Sequence, residues 1–297
     1  MSSLISETRY TIIRTAYYVT DPSKLLGEVA ASGLQSGVQS CRETTERLLL
    51  LLTPQQYGVL RDEAAHGAPG PMILSHVIQT GNGSVWVDRW PAPRASIAET
   101  AGNYSLSGDP QALHAMELRE RIRGFVAAPP AWLPALESAF PNLTRWERVV
   151  LELRSDQHLA LPENHLVRRL TVTDAHHLWG LSPAAAWITK TWGGPAGLAS
   201  SGHAWGAFAD GRLVSVACTF MVGSRHEDLG VATEPGFQGR GLSTACADAL
   251  CADVRRRGRQ ATWSTSPHNL ASLRVAAKLG FTERRRDCLY VIGVPIP

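Results

Sequence analysis

The segment Gln238-Gly239-Arg240-Gly241-Leu242-Ser243 constrains the fold more than any other, because of what flanks it. Before it, Glu227 to Thr233 is a short apolar run that reads as a strand. After it, Leu242, Ala245, Cys246, Ala249, Leu250 and Val254 recur at helical spacing from about Gly241, and Gly258 ends the pattern. Two glycines between a strand and a helix let the backbone turn tightly and gather successive N–H groups into one concavity. A helix amino terminus adds unpaired donors and a positive dipole end, a combination that suits a pyrophosphate. The plain alternative is a glycine-rich turn without a ligand. The dinucleotide fingerprint is not met, since position 244 is Thr and the preceding strands read as an antiparallel hairpin.

The surrounding pattern is α/β. Strand signals cover Leu166 to Val172, His203 to Ala209, Arg212 to Phe220 and Gln260 to Thr265, with Asp210-Gly211 as a hairpin turn. A helix is expected near Asp174 to Leu181. Another opens at Asn269 and closes at Lys278-Leu279-Gly280, leading into a final strand pair, Thr282 to Arg285 and Cys288 to Ile292. The amino-terminal half carries a helix start at Thr53-Pro54, with the Leu48 to Leu52 run as a buried helix end, and a loop from Ala65 to Pro71. Ser75 to Gln79 and Ser84 to Asp88 across Gly81-Asn82-Gly83 read as a hairpin, stopped by Pro91 and Pro93. Helices at Asp109 to Gly124 and Ala131 to Phe140 and a strand at Arg148 to Arg154 follow. Ser155 to His165 is the linker candidate, dividing an amino-terminal α/β domain (1–160) from a second domain (161–297). No tandem repeat is visible.

The landmarks downstream of the strand, taken in order, resemble the GCN5-related N-acetyltransferase (GNAT) superfamily over about 130 residues of the carboxy-terminal half. Gln238 to Ser243 is similar to its Q/R-x-x-G-x-G/A acyl-CoA loop, with Ser243 where Gly or Ala is usual. Asn269-Leu270-Ala271-Ser272 and Lys278-Leu279-Gly280-Phe281 resemble its last helix. The resemblance implies an α/β (α+β) fold with a splayed mixed β-sheet flanked by helices. It also implies an N-acyltransferase that moves an acyl group, acetyl above all, from acyl-CoA to a small-molecule or peptide amine. Gln238, Gly239, Arg240, Gly241, Leu242 and Ser243 would hold the pyrophosphate, Val231, Ala232 and Thr233 would lend backbone groups to the pantetheine, and Asn269 would cap its helix and touch the cofactor. Glu227 stands where many relatives keep a general base, with Asp228 the weaker candidate because alternation sends it to the other sheet face. A base here needs a pKa raised by partial burial. The tyrosine that often protonates the thiolate is replaced by Ala276, which leaves Ser272 or Tyr290 as donors. Trp179, Trp187, Trp192 and Trp205 would wall the acceptor cleft. An acyl-carrier protein as donor and a non-catalytic acyl-CoA sensor remain alternatives.

Composition excludes little else. A formal net charge of +3 over 297 residues does not support a nucleic-acid partner, and the basic residues are 26 Arg against 3 Lys. The clusters Arg255-Arg256-Arg257 with Arg259, and Arg284-Arg285-Arg286, read as a helix end and a solvated strand, or as contacts for an anionic partner. The five cysteines include no C-x-x-C and lie near no His at metal-ligand spacing, so neither metal nor disulfide is expected. The start lacks signal-peptide order and no run spans a bilayer, from which a cytoplasmic location is expected.

Overall fold

The computed structural model describes residues 49–65, 69–154 and 166–296, all of which belong to one compact unit, Glu46–Pro297. The helical reading of the chain before residue 49 and the linker at 155–165 lie outside the described residues. In chain order the first half gives β1 (Leu50–Leu51), α1 (Arg61–Ala65), α2 (Ile73–Thr80), β2 (Ser84–Val87), β3 (Ala95–Thr100), β4 (Asn103–Gly108), α3 (Ala115–Arg121), β5 (Gly124–Ala127), α4 (Leu133–Ala139) and β6 (Thr144–Leu153). The second half gives β7 (Leu166–Arg169), α5 (Ala175–Trp179), α6 (Pro195–Ser200), β8 (Ala204–Ala209), β9 (Arg212–Val222), β10 (His226–Thr233), α7 (Leu242–Arg256), β11 (Gln260–Thr265), α8 (Leu270–Lys278) and β12 (Phe281–Ile292). A 3-10 turn, Ala186–Trp192, precedes α6.

All twelve strands form one mixed sheet in the order β1-β2-β3-β4-β5-β12-β6-β11-β10-β9-β8-β7. That order reads the same from both ends once each first-half strand is matched to the strand six later. In each half the run of antiparallel neighbours ends in a parallel pair, β4 with β5 and β10 with β11. The halves then exchange their last strands: β6 lies between β11 and β12, and β12 lies between β5 and β6. The fold therefore repeats although no repeat shows in the sequence. Hydrophobic alternation requires only that each strand bury a face, and many side-chain sets satisfy it.

Helices cover both faces. On one, α7 and α8 bury Leu242, Cys246, Leu250 and Val254 against Val149, Leu151, Leu229 and Trp263. On the same face α3 and α4 pack Leu118, Trp132 and Leu136 against Ile97, Leu106 and Val126. The other face meets α2, whose Ile73 and Val77 join Val85, Ala98 and Met221, and also the Ala186–Trp192 turn, whose Ile188 and Trp192 join Val216, Cys218 and Ala232. Helix α2 thus touches strands from both halves. His76, fully buried, fastens it: Nδ1 accepts from Val222 N–H at 3.1 Å and the Nε2 side meets Thr191 O at 2.8 Å.

Several expectations need correction. Ser75 to Gln79 belongs to α2 and not to a hairpin strand. Ile73, Leu74 and Val77 bury at helical spacing, and Gly81, at φ 72°, ends the helix in the left-handed region. Leu50 and Leu51 form a short edge strand with exposed side chains instead of a buried helix end. The final strand pair is one strand, β12, with a register shift between Glu283 and Arg285. Strands β3, β4 and β5 carry no clear sequence signal, because Ala, Ser, Gly and Asn dilute their alternation.

Since β6 separates β11 from β12, cutting the chain within 155–165 should leave the two pieces associated under native conditions. The piece beginning at Leu166, isolated in denaturant, should not refold alone, because β11 and β12 lose the strand that joins them. Size-exclusion chromatography and circular dichroism before and after separation check this; independent refolding with native ellipticity would refute it.

Candidate active site

Strands β10 and β11 start paired and then part. Their ladder runs from His226 with Gln260 to Leu229 with Trp263. Beyond it, β10 continues against β9 to Thr233, and β11 continues against β6 to Thr265. Along Gly230 to Thr233 the β10 edge toward β11 therefore carries backbone groups with no strand to receive them, including those of Val231 and Ala232. On the far side of β10 a register shift makes Phe220 an extra residue of β9 between Met221 and Thr219. Phe220 packs edge-on against Trp187, and a Cβ on Gly230 would lie 3.4 Å from that indole and 3.2 Å from Phe220. Gly230 keeps this gap narrow.

The connection from β10 to α7 is glycine-rich for a backbone reason. Gly236, Gly239 and Gly241 sit at φ 85°, 76° and 80°, in the left-handed region that side chains disfavour. Space is not the constraint at Gly236 and Gly239, where an added Cβ would meet nothing. Arg240 folds back, its Nη2 donating to Gly236 O at 2.7 Å and its guanidinium lying 4.9 Å from the Phe237 ring. The first backbone hydrogen bond of α7 runs from Ala245 N–H to Gly241 O, so the N–H groups just before Ala245 open toward the parted strands. With the helix dipole behind them these donors have the chemistry to hold an anion such as a pyrophosphate. Leu242 is buried beneath the loop, while Gln238 and Arg240 are exposed and Ser243 is half-buried.

Two adjacent carboxylates on β10 point to opposite faces. Glu227 is fully buried on the α7 side. Its Oε1 accepts from Arg257 Nε at 2.8 Å and Arg259 Nη1 at 3.2 Å, and its Oε2 accepts from Arg257 Nη2 at 2.7 Å and from Thr219 Oγ1. Burial pushes its carboxyl up, but hydrogen bonds from Arg257 and Thr219 and the nearby positive charge outweigh that and leave the pKa below the ordinary value. Asp228, also buried, turns to the other face, where its Oδ1 accepts from Thr262 Oγ1 at 2.8 Å and Ser264 Oγ at 3.0 Å. Burial raises its pKa to about 6 against those hydrogen bonds. On the same face Arg148 of β6 holds Asp287 of β12 through Nε and Nη2 at 2.9 to 3.1 Å. The raised pKa required of a general base is met at Asp228 and not at Glu227.

A family profile described as GNAT acetyltransferase matches residues 64–290. The chain belongs to the GNAT acetyltransferase family. It is 44% identical over 196 residues, 65% of this chain and 83% of the other, to an uncharacterised N-acetyltransferase in the mutA 5′ region of Streptomyces virginiae. A GCN5-related N-acetyltransferase-like protein from Streptococcus suis superposes with a TM-score of 0.60 at 19% identity, covering 80% of this chain and 98% of that one. A tandem GNAT protein from the clavulanic acid biosynthesis pathway does so with a TM-score of 0.54 at 14% identity, covering 84% and 99%. As a member of this family the protein is an acyltransferase that takes its acyl group from acyl-CoA. The family match begins at residue 64, so it reaches well into the first half.

The remaining candidates divide by location. Asn269 caps α8, its Oδ1 accepting from Ser272 N–H at 3.1 Å, and Ser272 Oγ accepts from Trp263 Nε1 at 2.8 Å. Both stand where β11 leaves the sheet. Tyr290 does not: it pairs with Val126 of β5 and packs in the first-half core with Trp132 and Leu136, so the thiolate-donor expectation fails for it on position. Of the tryptophans, Trp187 overhangs β10. Trp192 is buried, donating to Thr219 O at 2.7 Å, Trp205 packs on the α7 side, and Trp179 is exposed. Arg256 and Arg257 pair with Asp253 and Arg259 with Glu227, so those charges have partners within the fold. Among the described residues no group of His, Cys, Asp and Glu could hold a metal ion, and no helix is long and apolar enough to cross a membrane.

Gly241→Asp places a carboxylate in the anion cradle and a side chain at a left-handed φ. Calorimetry with CoA should show affinity reduced by about tenfold or more, while folding loses only about 1–2 kcal/mol. Undiminished affinity in the folded variant would remove the loop from the site. Glu227→Gln should instead cost stability, about 2–4 kcal/mol at pH 7, because Arg259 loses its counter-charge and Arg257 one of its two. Glu227 has a lowered folded-state pKa, so its contribution is present above the unfolded value and vanishes as pH falls through the folded one. The stability gap between wild type and variant, measured by urea unfolding, should therefore close below about pH 4.

Proposed function

We propose that the protein is an N-acyltransferase in which Asp228, rather than Glu227, takes the proton from a small-molecule or peptide amine. The observation that carries this reading is the position of Asp228. It is the carboxylate beside the point where β10 and β11 part, on the face opposite α7, and burial raises its pKa to about 6. Acetyl-CoA or another acyl-CoA binds with its pyrophosphate on the N–H groups of the Gln238–Ser243 loop and its pantetheine amides along the free edge from Gly230 to Thr233. The thioester then lies between the strands. The amine nitrogen attacks the thioester carbon, the C–N bond forms, a backbone N–H near Val231 stabilises the oxyanion, and the C–S bond breaks. Asp228 accepts the proton lost by nitrogen. Ser272, whose oxygen already accepts from Trp263, donates a hydrogen bond from its hydroxyl to the leaving thiolate, which takes its proton from solvent.

In this reading the first half shapes acceptor binding. Met72, at the start of α2, lies against Gly223 of the β9–β10 turn, where an added Cβ would sit 2.3 Å from its sulfur. Arg285 Nη2 donates to Pro69 O at 2.8 Å, which holds the 69–72 segment over the face that carries Arg148 and Asp287. Trp187, in the Ala186–Trp192 turn on the same face, lies over Gly230 of β10.

An acceptor is found by offering a panel of amines with acetyl-CoA and recording product mass. With any acceptor in hand, Asp228→Asn should lower kcat/KM by about 10² to 10⁴ and leave CoA affinity intact. A base with a pKa near 6 is charged above that pH, so wild-type kcat/KM should rise through about pH 6 and level off, and the variant should lack that limb. A variant with the wild-type rate and profile would take Asp228 out of the reaction.

A further inference from the structure

The free edge of β10 leads to a closed end. The β10–β11 ladder stops at Leu229 with Trp263, so an extended molecule lying along the edge from Thr233 toward Gly230 meets that pair and goes no further. Leu229 and Trp263 both bury their side chains in the core beneath α7, which fills that face. Room at the closed end is therefore on the opposite face, where Gly230 has no side chain. Asp228 shares that face two residues away, about 7 Å along the strand.

Trp187 and Phe220, packed edge-on against each other, bound that room. A carbon at the Cβ position of Gly230 would lie 3.2 Å from Phe220 Cβ and 3.4 Å from the six-membered ring of Trp187. Carbon atoms in contact ordinarily stand about 3.5–4.0 Å apart, so one carbon fits there tightly and a second has to displace the indole. The backbone that carries the indole is fixed on both sides. Upstream, Ser182 N–H donates to Glu234 Oε1 at 2.9 Å, just past the end of β10. Downstream, Trp192 Nε1 donates to Thr219 O at 2.7 Å and Thr191 O meets His76 Nε2 at 2.8 Å. Ile188, the next residue, is fully buried.

We propose that Trp187 sets the length of the acyl chain, admitting an acetyl group and rejecting chains of four carbons or more. The inference rests on the acyl-CoA path along β10 proposed above and adds what ends that path. The acetyl methyl takes the space over Gly230, and the later carbons of a longer chain run into the indole. The same wall accounts for glycine at position 230, because any side chain there would occupy the place of the methyl.

Calorimetry on the full chain with CoA, acetyl-CoA, butanoyl-CoA and hexanoyl-CoA tests this without an acceptor. Wild type should bind CoA and acetyl-CoA with similar affinity, and the two longer thioesters about tenfold or more weakly than acetyl-CoA. Trp187→Ala should abolish that penalty, with affinity rising about fourfold for each further methylene that the vacated space buries. Gly230→Ala should do the reverse and weaken acetyl-CoA relative to CoA. Trp187 is 38% exposed, and each comparison is a ratio within one protein preparation, so a loss of stability does not mask the result. Equal affinity for all three thioesters in wild type, or the same penalty in Trp187→Ala, overturns the proposal. A wild type that binds none of the four ligands overturns the acyl-CoA path and the proposal with it. Tight CoA binding without chain discrimination overturns only the role of Trp187.

Discussion

The antiparallel ladder between β6 and β12 is the constraint on which the rest of the molecule depends. Ten residue pairs, from Phe281 with Leu153 to Val291 with Thr144, join the last strand of each half at the centre of the sheet. Because β6 also pairs with β11 and β12 with β5, each half holds only one side of its parallel strand with its own chain and takes the other side from its counterpart. The site at the parting of β10 and β11 is thus supported on one side by a strand from the other half. The buried Arg148–Asp287 pair crosses this ladder and ties the exchanged strands by charge as well as by backbone hydrogen bonds.

Adjacent residues on one strand show how environment assigns roles to identical chemistry. Glu227 and Asp228 are both buried carboxylates, and alternation alone sends them to opposite faces. Glu227 meets two guanidinium groups that keep it charged and occupied. Asp228 meets two hydroxyls, which satisfy one of its oxygens without supplying a full counter-charge, and its proton affinity rises. The first is suited to holding the end of α7 on the sheet, the second to exchanging a proton near neutral pH.

Strands β4 and β5 of the first half also pair and then part, beyond Ser105 with Ala127, and the two partings make a similar contrast. Both present a strand edge released from its neighbour, a result of two parallel strands diverging that needs no particular side chain. The turns beyond the two edges differ. Three left-handed glycines leave the N–H groups before α7 open, while Asp109 and Pro110 close the equivalent turn in the first half. A common backbone plan therefore yields one turn whose N–H groups stay open and one whose Gln111 N–H is already satisfied by the chain's own carboxylate.

The glycine loop, its flanking strand and helix, the Asn269 cap and the family were legible in the sequence, because each depends on local backbone requirements: positive φ, a cap, an apolar period. The order of the strands was not legible. Strands β3 to β5 are short and rich in small residues, and the exchange of β6 and β12 is a choice between equally patterned partners that only long-range packing makes. For the same reason the sequence placed Glu227 and Asp228 on a strand and on opposite faces but could not say which would be neutralised. That depended on Arg257 and Arg259 arriving from the end of α7, and on Thr262 and Ser264 arriving from β11, all distant in sequence and brought within hydrogen-bonding distance only by the tertiary structure.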